Sequence, residues 1–341
     1  MSTTNGHTLY LGTGDGLYLA EPGAKGYSAR LAGFAGSGGF RAAVVVDCDE
    51  PETLYAGTTT SGMFRSRDAG RTWDEINAGI VHKAIWSIAQ DPRTGTLFVG
   101  TSPANVFVSA DRGDSWSACE GLERIPTTKG WTGPVPPHVS RLKSLALTAE
   151  DPLAVYGAIE EGWAVRSLDG GKTWEQIDNG VDHDGHGIAV SAEEPEVVVA
   201  STGKGMFRSE DRGAHFEPAN EGLDGRRYTS SPLVGHPDRP GLLLSAVTAA
   251  GPGSWMTRPA GGESAFARSE DGGRTWRVSA EGLPQPCVAV PRGLAAAADD
   301  PDLWFTGMTD GTVWMSHDGA RSFERVLDGL PPVMSVTVTR A

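Results

Sequence analysis

The chain has 341 residues and a formal net charge of −14, a sign that excludes a binder of nucleic acid acting through non-specific phosphate contacts. No run approaches the roughly 18 apolar residues of a membrane span, and the N-terminal MSTTNGHTLYLG has no basic region followed by an apolar one, so neither a span nor a secretory leader is expected. Three widely spaced cysteines, Cys48, Cys119 and Cys287, make no disulfide framework, and the expected location is cytoplasmic.

In chain order, the first elements are two short strands in TLYLGTGDGLYLAEPG. A four-part series follows: AVVVD, PETLYAGT, GMFRS, then the turn SRDAGRTW (Ser66 to Trp73) leading into TWDEI. Read as strands A, B, C and D, this is one four-stranded antiparallel unit. The same turn returns as SADRGDSW (Ser109 to Trp116), SLDGGKTW (Ser167 to Trp174), SEDRGAHF (Ser209 to Phe216), SEDGGRTW (Ser269 to Trp276) and SHDGARSF (Ser316 to Phe323). The fourth has His215 in the Thr place, and the sixth has its glycine one position early, at Gly319. An Asp at this point accepts hydrogen bonds from backbone N–H groups across a hairpin turn, Gly supplies backbone angles other residues resist, and the aromatic ring opens the next strand.

The six turn aspartates, Asp68, Asp111, Asp169, Asp211, Asp271 and Asp318, are separated by 43, 58, 42, 60 and 47 residues. The base period of 42–47 is that of a propeller blade, and the two long gaps mark insertions of about 15 residues, at about 122–138 and 249–264. The tail, PPVMSVTVTR, supplies a strand A for the incomplete N-terminal unit. The expected architecture is therefore an all-β, seven-bladed β-propeller spanning 1–341 as one domain. Its seventh blade is shared by about 5–32 and 330–341, so the chain ends close the ring. Six blades with loose ends is the alternative.

The turns resemble the BNR (bacterial neuraminidase) or Asp-box repeats of sialidases, sortilin-type receptors, xyloglucanases and photosystem assembly factors. The resemblance covers nearly the whole chain. It implies Asp-box turns joining strands C and D of four-stranded blades, and it is far more specific for fold than for function, because the box is a structural turn.

Alternating strand direction puts every box on one face and the B–C and D–A connections, with both insertions, on the other. The starts of strands A open on that second face. Two adjacent columns align there: small residues (Ala43, Ser87, Ser144, Gly187, Pro232, Gly293, Ser335) and a chemically rich set (Ala42, Trp86, Lys143, His186, Ser231, Arg292, Met334). Side-chain alternation turns the two columns opposite ways. Just upstream lie Arg41, His82, His138, Arg141, His183, Arg227 and Tyr228.

Three functions follow from these groups. A ligand-binding site would capture a small anionic or carbohydrate-like molecule, a glycan or a peptide through Arg41, Lys143, Arg227 and Glu160, with Trp86, Trp131 and Trp255 as apolar faces overhanging the mouth. A metal-dependent lyase or hydrolase would use His82, His138, His183 and His186, in a segment where Asp182, His183, Asp184 and His186 are dense in ligand types; the candidate cofactor is a divalent transition metal. The family resemblance implies a sialidase-like glycosidase. Its catalytic candidates are Tyr228 as nucleophile, helped by Glu160 or Glu161, with Arg141, Arg292, Arg41 and Arg227 as carboxylate clamp. Sialidases carry Arg-Ile-Pro before the first box, whereas Arg124-Ile125-Pro126 here lies after the second, inside an insertion. The expected partner is a small-molecule, glycan or peptide ligand, with neither nucleic acid nor membrane, and the expected state is monomeric.

Overall fold

The computed structural model describes residues 6–23, 26–36, 44–150, 152–191 and 193–340. Seven antiparallel sheets form a seven-bladed β-propeller. Blades 1–6 begin with inner strands Val44–Val46, Ala84–Gln90, Arg141–Leu147, Gly185–Val190, Tyr228–Thr229 and Pro291–Ala297. Blade 7 is composite: the inner strand Val333–Arg340 pairs with His7–Thr13, in register from His7 opposite Arg340 to Gly12 opposite Ser335, followed by Leu17–Gly23 and Gly26–Gly33. Among the described residues no helix is long and apolar enough to cross a membrane, and no disulfide is present.

The recurring turns close as the residues dictate. In the first, the Ser66 hydroxyl and the Thr72 amide and hydroxyl donate to the Asp68 carboxylate, while Ser66 Oγ accepts from Gly70 N–H. The same cage forms around Asp111, Asp169, Asp271 and Asp318. Around Asp211 it lacks the hydroxyl, because His215 offers only its amide. These bonds hold Asp68, Asp111, Asp169 and Asp318 down at about 2. The Thr72 amide leads for Asp68 and the Ser115 hydroxyl for Asp111, whereas partial burial pulls Asp169 and Asp318 upward and is outweighed. The displaced glycine of the sixth turn also has its reason. Two consecutive residues are left-handed in every turn, such as Arg112 (φ 57°) then Gly113 (φ 92°); the sixth has Gly319 (φ 71°) then Ala320 (φ 64°), with the glycine in the other left-handed place.

Two further recurrences join blade to blade. Arg65, Arg166, Arg208 and Arg268, each just before a box serine, donate to a backbone carbonyl in the next blade's box, at Arg112, Arg212, Gly272 and Gly319. After the outer strand comes a tight turn of the form x-Gly-Ile/Leu/Val, as in Asn77-Ala78-Gly79-Ile80 and Asn220-Glu221-Gly222-Leu223. The residue before its glycine accepts the amide of the next box aromatic: Trp116 to Ala78, Phe216 to Asn179, Trp276 to Glu221 and Phe323 to Glu281. At Gly222, with φ +83°, a Cβ would sit 1.8 Å from the Trp276 carbonyl oxygen, so the blade seam itself excludes a side chain.

Antiparallel pairing within each blade places all six boxes on the face opposite the starts of the inner strands. The small-residue column faces the neighbouring inner strand: a Cβ on Gly293 would meet the Ser335 carbonyl carbon at 2.7 Å, and Ser87 Oγ donates to Leu142 O in the next blade at 2.9 Å.

Candidate functional site

Among the described residues, five inner strands carry a β-bulge at the same level. Pairing skips Trp86 between Ile85 and Ser87, Lys143 between Leu142 and Ser144, His186 between Gly185 and Gly187, Arg292 between Pro291 and Gly293, and Met334 between Val333 and Ser335. A bulge adds an unpaired residue and re-aims its side chain. All five bulge residues line one cavity of about 90 Å³ at the channel mouth. In blade 5 the inner strand is instead broken at Pro232, and Thr229, Ser230, Ser231 and Pro232 complete the wall. The blade 1 counterparts, with Arg41, lie outside the described residues.

Among the described residues, two of the three cations grouped here share one carboxylate and the third has none. Glu160, buried at the mouth end of blade 3's second strand (Val155–Glu160), receives Arg141 Nη1 at 2.9 Å and Lys143 Nζ at 3.0 Å. Burial pulls its carboxyl upward, but Lys143 and then Arg141 overcome this and hold it below the usual range. Lys143 takes the opposite penalty, since desolvation lowers its ammonium pKa despite Glu160. Arg141 also lies over Trp86, 4.6 Å from the ring centroid. The third is Arg292. It makes only a 3.3 Å hydrogen bond to Ser230 O, its buried Nε has no acceptor, and its guanidinium sits 5.0 Å from the Trp255 ring centre. Burial depresses its pKa, although a guanidinium remains charged.

The third group is built on blade 4. His186 is buried; its Nδ1 lies 2.9 Å from Thr229 O and 3.0 Å from Thr229 Oγ1, and its Nε2 is 3.2 Å from Asp184 Oδ1 without hydrogen-bond alignment. Desolvation first, then the Lys143 charge, favours the neutral ring over the pull of Asp184. The Tyr228 ring meets His186 edge-on at 4.8 Å and Trp255 at 5.7 Å, and burial raises its hydroxyl pKa.

Several expectations require correction. The four histidines do not converge. His82 packs edge-on to Phe107, His138 is exposed with Nδ1 2.7 Å from Gly133 O, and His183 is exposed beside Trp163. Among the described residues, the group of three donor atoms that contains one of them is Glu160, Asp184 and His186. Trp131 does not overhang the mouth. Its insertion folds back onto blade 3, where the ring is buried and Nε1 donates to Gln176 of the outer strand at 2.9 Å. Trp255, on the short helical turn Pro252–Trp255, is the insertion aromatic that reaches the mouth. No Tyr–Glu nucleophile pair forms, because Arg141 and Lys143 engage both Glu160 oxygens and no hydrogen bond joins Tyr228 to Glu160. Glu161 instead accepts from Thr132. Among the described residues the arginine clamp is not assembled either, since Arg141 is bound to Glu160 and Arg227 is exposed; Arg41 lies outside them. The sequence pattern does not mark Thr229 or Ser230; it marks Asp184 as part of the ligand-dense segment that ends at His186. The spacing Asp184-x-His186 is that signal, placing two donors at i and i+2.

Fold and mouth together define a seven-bladed β-propeller with a polar cavity built from bulge residues. Among solved structures of this class, a candidate 6-phosphogluconolactonase from Bacteroides fragilis superposes with a TM-score of 0.61 over 99% of both chains, at 11% identity. YCF48 from Cyanidioschyzon merolae gives 0.55 over 88% of this chain and 94% of its own, at 13% identity, and YCF48 bound to D1 peptide gives 0.53 over 84% and 82%, at 18% identity. Likeness at these identities shows the fold alone. No family model matches the sequence, and no curated protein matches it.

Proposed function

We propose that the mouth binds a small anionic ligand, a carboxylate of the sugar-acid type. Arg292 carries this reading: it is a half-buried cation that has, among the described residues, no carboxylate partner and an unused, buried Nε–H. A desolvated unpaired charge is costly, and a carboxylate taking the guanidinium fork would compensate it. Ser230 and Ser231 supply hydroxyls beside it, Trp86 adds an aromatic ring to the lining, and Trp255 backs the Arg292 guanidinium. The fold neighbour linked to a sugar-acid lactone is consistent with this class but adds no site evidence.

The test is a thermal-shift and calorimetric screen of hexuronates and aldonates, with the matching neutral sugars as controls. Acids should stabilise the protein and neutral sugars should not. Arg292→Gln should weaken acid binding by about 10- to 150-fold, the worth of one charge-assisted hydrogen bond at about 1.5–3 kcal/mol. Equal binding of acid and neutral sugar, or an unaffected Arg292→Gln variant, rejects the proposal.

A further inference from the structure

We infer that Glu160, Asp184 and His186 form a binding site for one divalent transition-metal ion at the edge of the anion cavity, which His186 also lines. The three donor atoms, one imidazole nitrogen and two carboxylate oxygens, lie within 4.8 Å of one another.

The hydrogen-bond network fixes the tautomer of His186. Its Nδ1 faces Thr229 O and Thr229 Oγ1. The Thr229 hydroxyl gives its one proton to Thr202 O at 3.0 Å. Both atoms flanking Nδ1 are therefore acceptors, so Nδ1 must carry the hydrogen. In the neutral ring Nε2 then holds a lone pair, and that lone pair meets the Asp184 carboxylate at 3.2 Å with no hydrogen bond. Two electron-rich atoms so placed need a positive centre. A proton on Nε2 does not supply it, because the 3.2 Å contact lacks the alignment of a hydrogen bond. A metal ion satisfies both, and an imidazole whose far N–H is held by a backbone carbonyl is the usual arrangement of a metal-bound histidine.

One nitrogen and two carboxylates, without sulfur, suit Zn²⁺, Mn²⁺ or Fe²⁺ better than Ca²⁺, Mg²⁺ or Cu⁺. A donor set of three leaves coordination positions for water or for a ligand oxygen from the adjoining cavity. Lys143, 3.0 Å from Glu160, is a built-in competitor for the same carboxylate. The second cluster, Asp47, Cys48 and Asp49, carries no such inference, because two of its three residues are exposed and it holds no buried donor atom without a partner.

The experiment uses the untagged chain, stripped with chelator and titrated with Zn²⁺ by calorimetry and with Mn²⁺ by electron paramagnetic resonance. One equivalent should bind. His186→Gln and Asp184→Asn should each weaken binding by more than the roughly 10- to 100-fold that loss of an outer-shell partner costs. Lys143→Gln should tighten it, and Cys48→Ser should leave it unchanged. Nitrogen-15 NMR of the metal-free protein, which does not depend on any variant folding, should show His186 neutral and protonated on Nδ1. Occupancy below about a tenth of an equivalent, full binding by Asp184→Asn, loss in Cys48→Ser, or a ring protonated on Nε2 overturns the inference. Loss of acid binding in Arg292→Gln with metal binding intact separates this site from the anion cavity.

Discussion

Replacing Gly222 with alanine tests the blade seam directly. The residue is left-handed at φ +83°, and a Cβ there would lie 1.8 Å from Trp276 O, where ordinary contact begins at 3.4 Å. Left-handed backbone costs an alanine about 1–2 kcal/mol. Blades 4 and 5 must then part locally, stretching the hydrogen bond from Trp276 N–H to Glu221 O, worth about 1 kcal/mol, and loosening the packing of the buried Trp276 ring by a comparable amount. The expected loss is about 3–4 kcal/mol, a large share of the roughly 5–15 kcal/mol by which domains are stable. Gly272→Ala is the control: its φ is +68° but nothing lies within 4 Å of the added Cβ, so only the backbone cost of about 1–2 kcal/mol applies. Urea unfolding of both variants, read at constant m-value, gives the difference. Equal losses would refute the claim that the seam, and not backbone angle alone, selects glycine at this recurring turn.

The two insertion tryptophans should separate. Trp131→Ala should cost about 3–5 kcal/mol in urea unfolding and leave acid binding intact, whereas Trp255→Ala should weaken acid binding with little loss of stability; the reverse pattern would contradict their placement. The box aspartates predict acid lability. Asp68, Asp111, Asp169 and Asp318 titrate at about 2 in the fold and about 4 when unfolded, so their contribution is complete above pH 4 and is lost as pH falls through 2. The urea midpoint should drop across that window, less so in Asp169→Asn, and a flat profile would show that the cages contribute nothing.

The blade count was legible because the turn chemistry repeats literally: a Ser, an Asp, two left-handed positions and a ring cannot shift without breaking the cage. The placement of Trp86, Lys143, His186 and Arg292 at one level was legible from the same alignment. The reason for it was not. Strict alternation accounts for two opposed columns, but it does not reveal that the second column is the unpaired residue of a bulge, since bulging depends on crowding between Gly187 and Leu233, or Gly293 and Ser335, across blades. The fate of the insertions was also hidden. Trp131 and Trp255 look alike in sequence, yet Gln176 and the apolar cluster of blade 3 draw the first away from the axis. The x-Gly-Leu turn and the arginine before the box serine were repeated signals whose role, holding one blade to the next, emerges only from the contacts.

The bulges have a consequence for how such a ring can change. The ladder pairing skips Trp86, Lys143, His186, Arg292 and Met334, so the residues that line the mouth cavity are not the residues that hold the inner strands together. The lining of the mouth and the assembly of the ring are thereby assigned to different residues of the same strand. New specificity can be acquired by exchanging one residue per blade, as a lock is recut by changing its pins, while the barrel that carries them is left as it was.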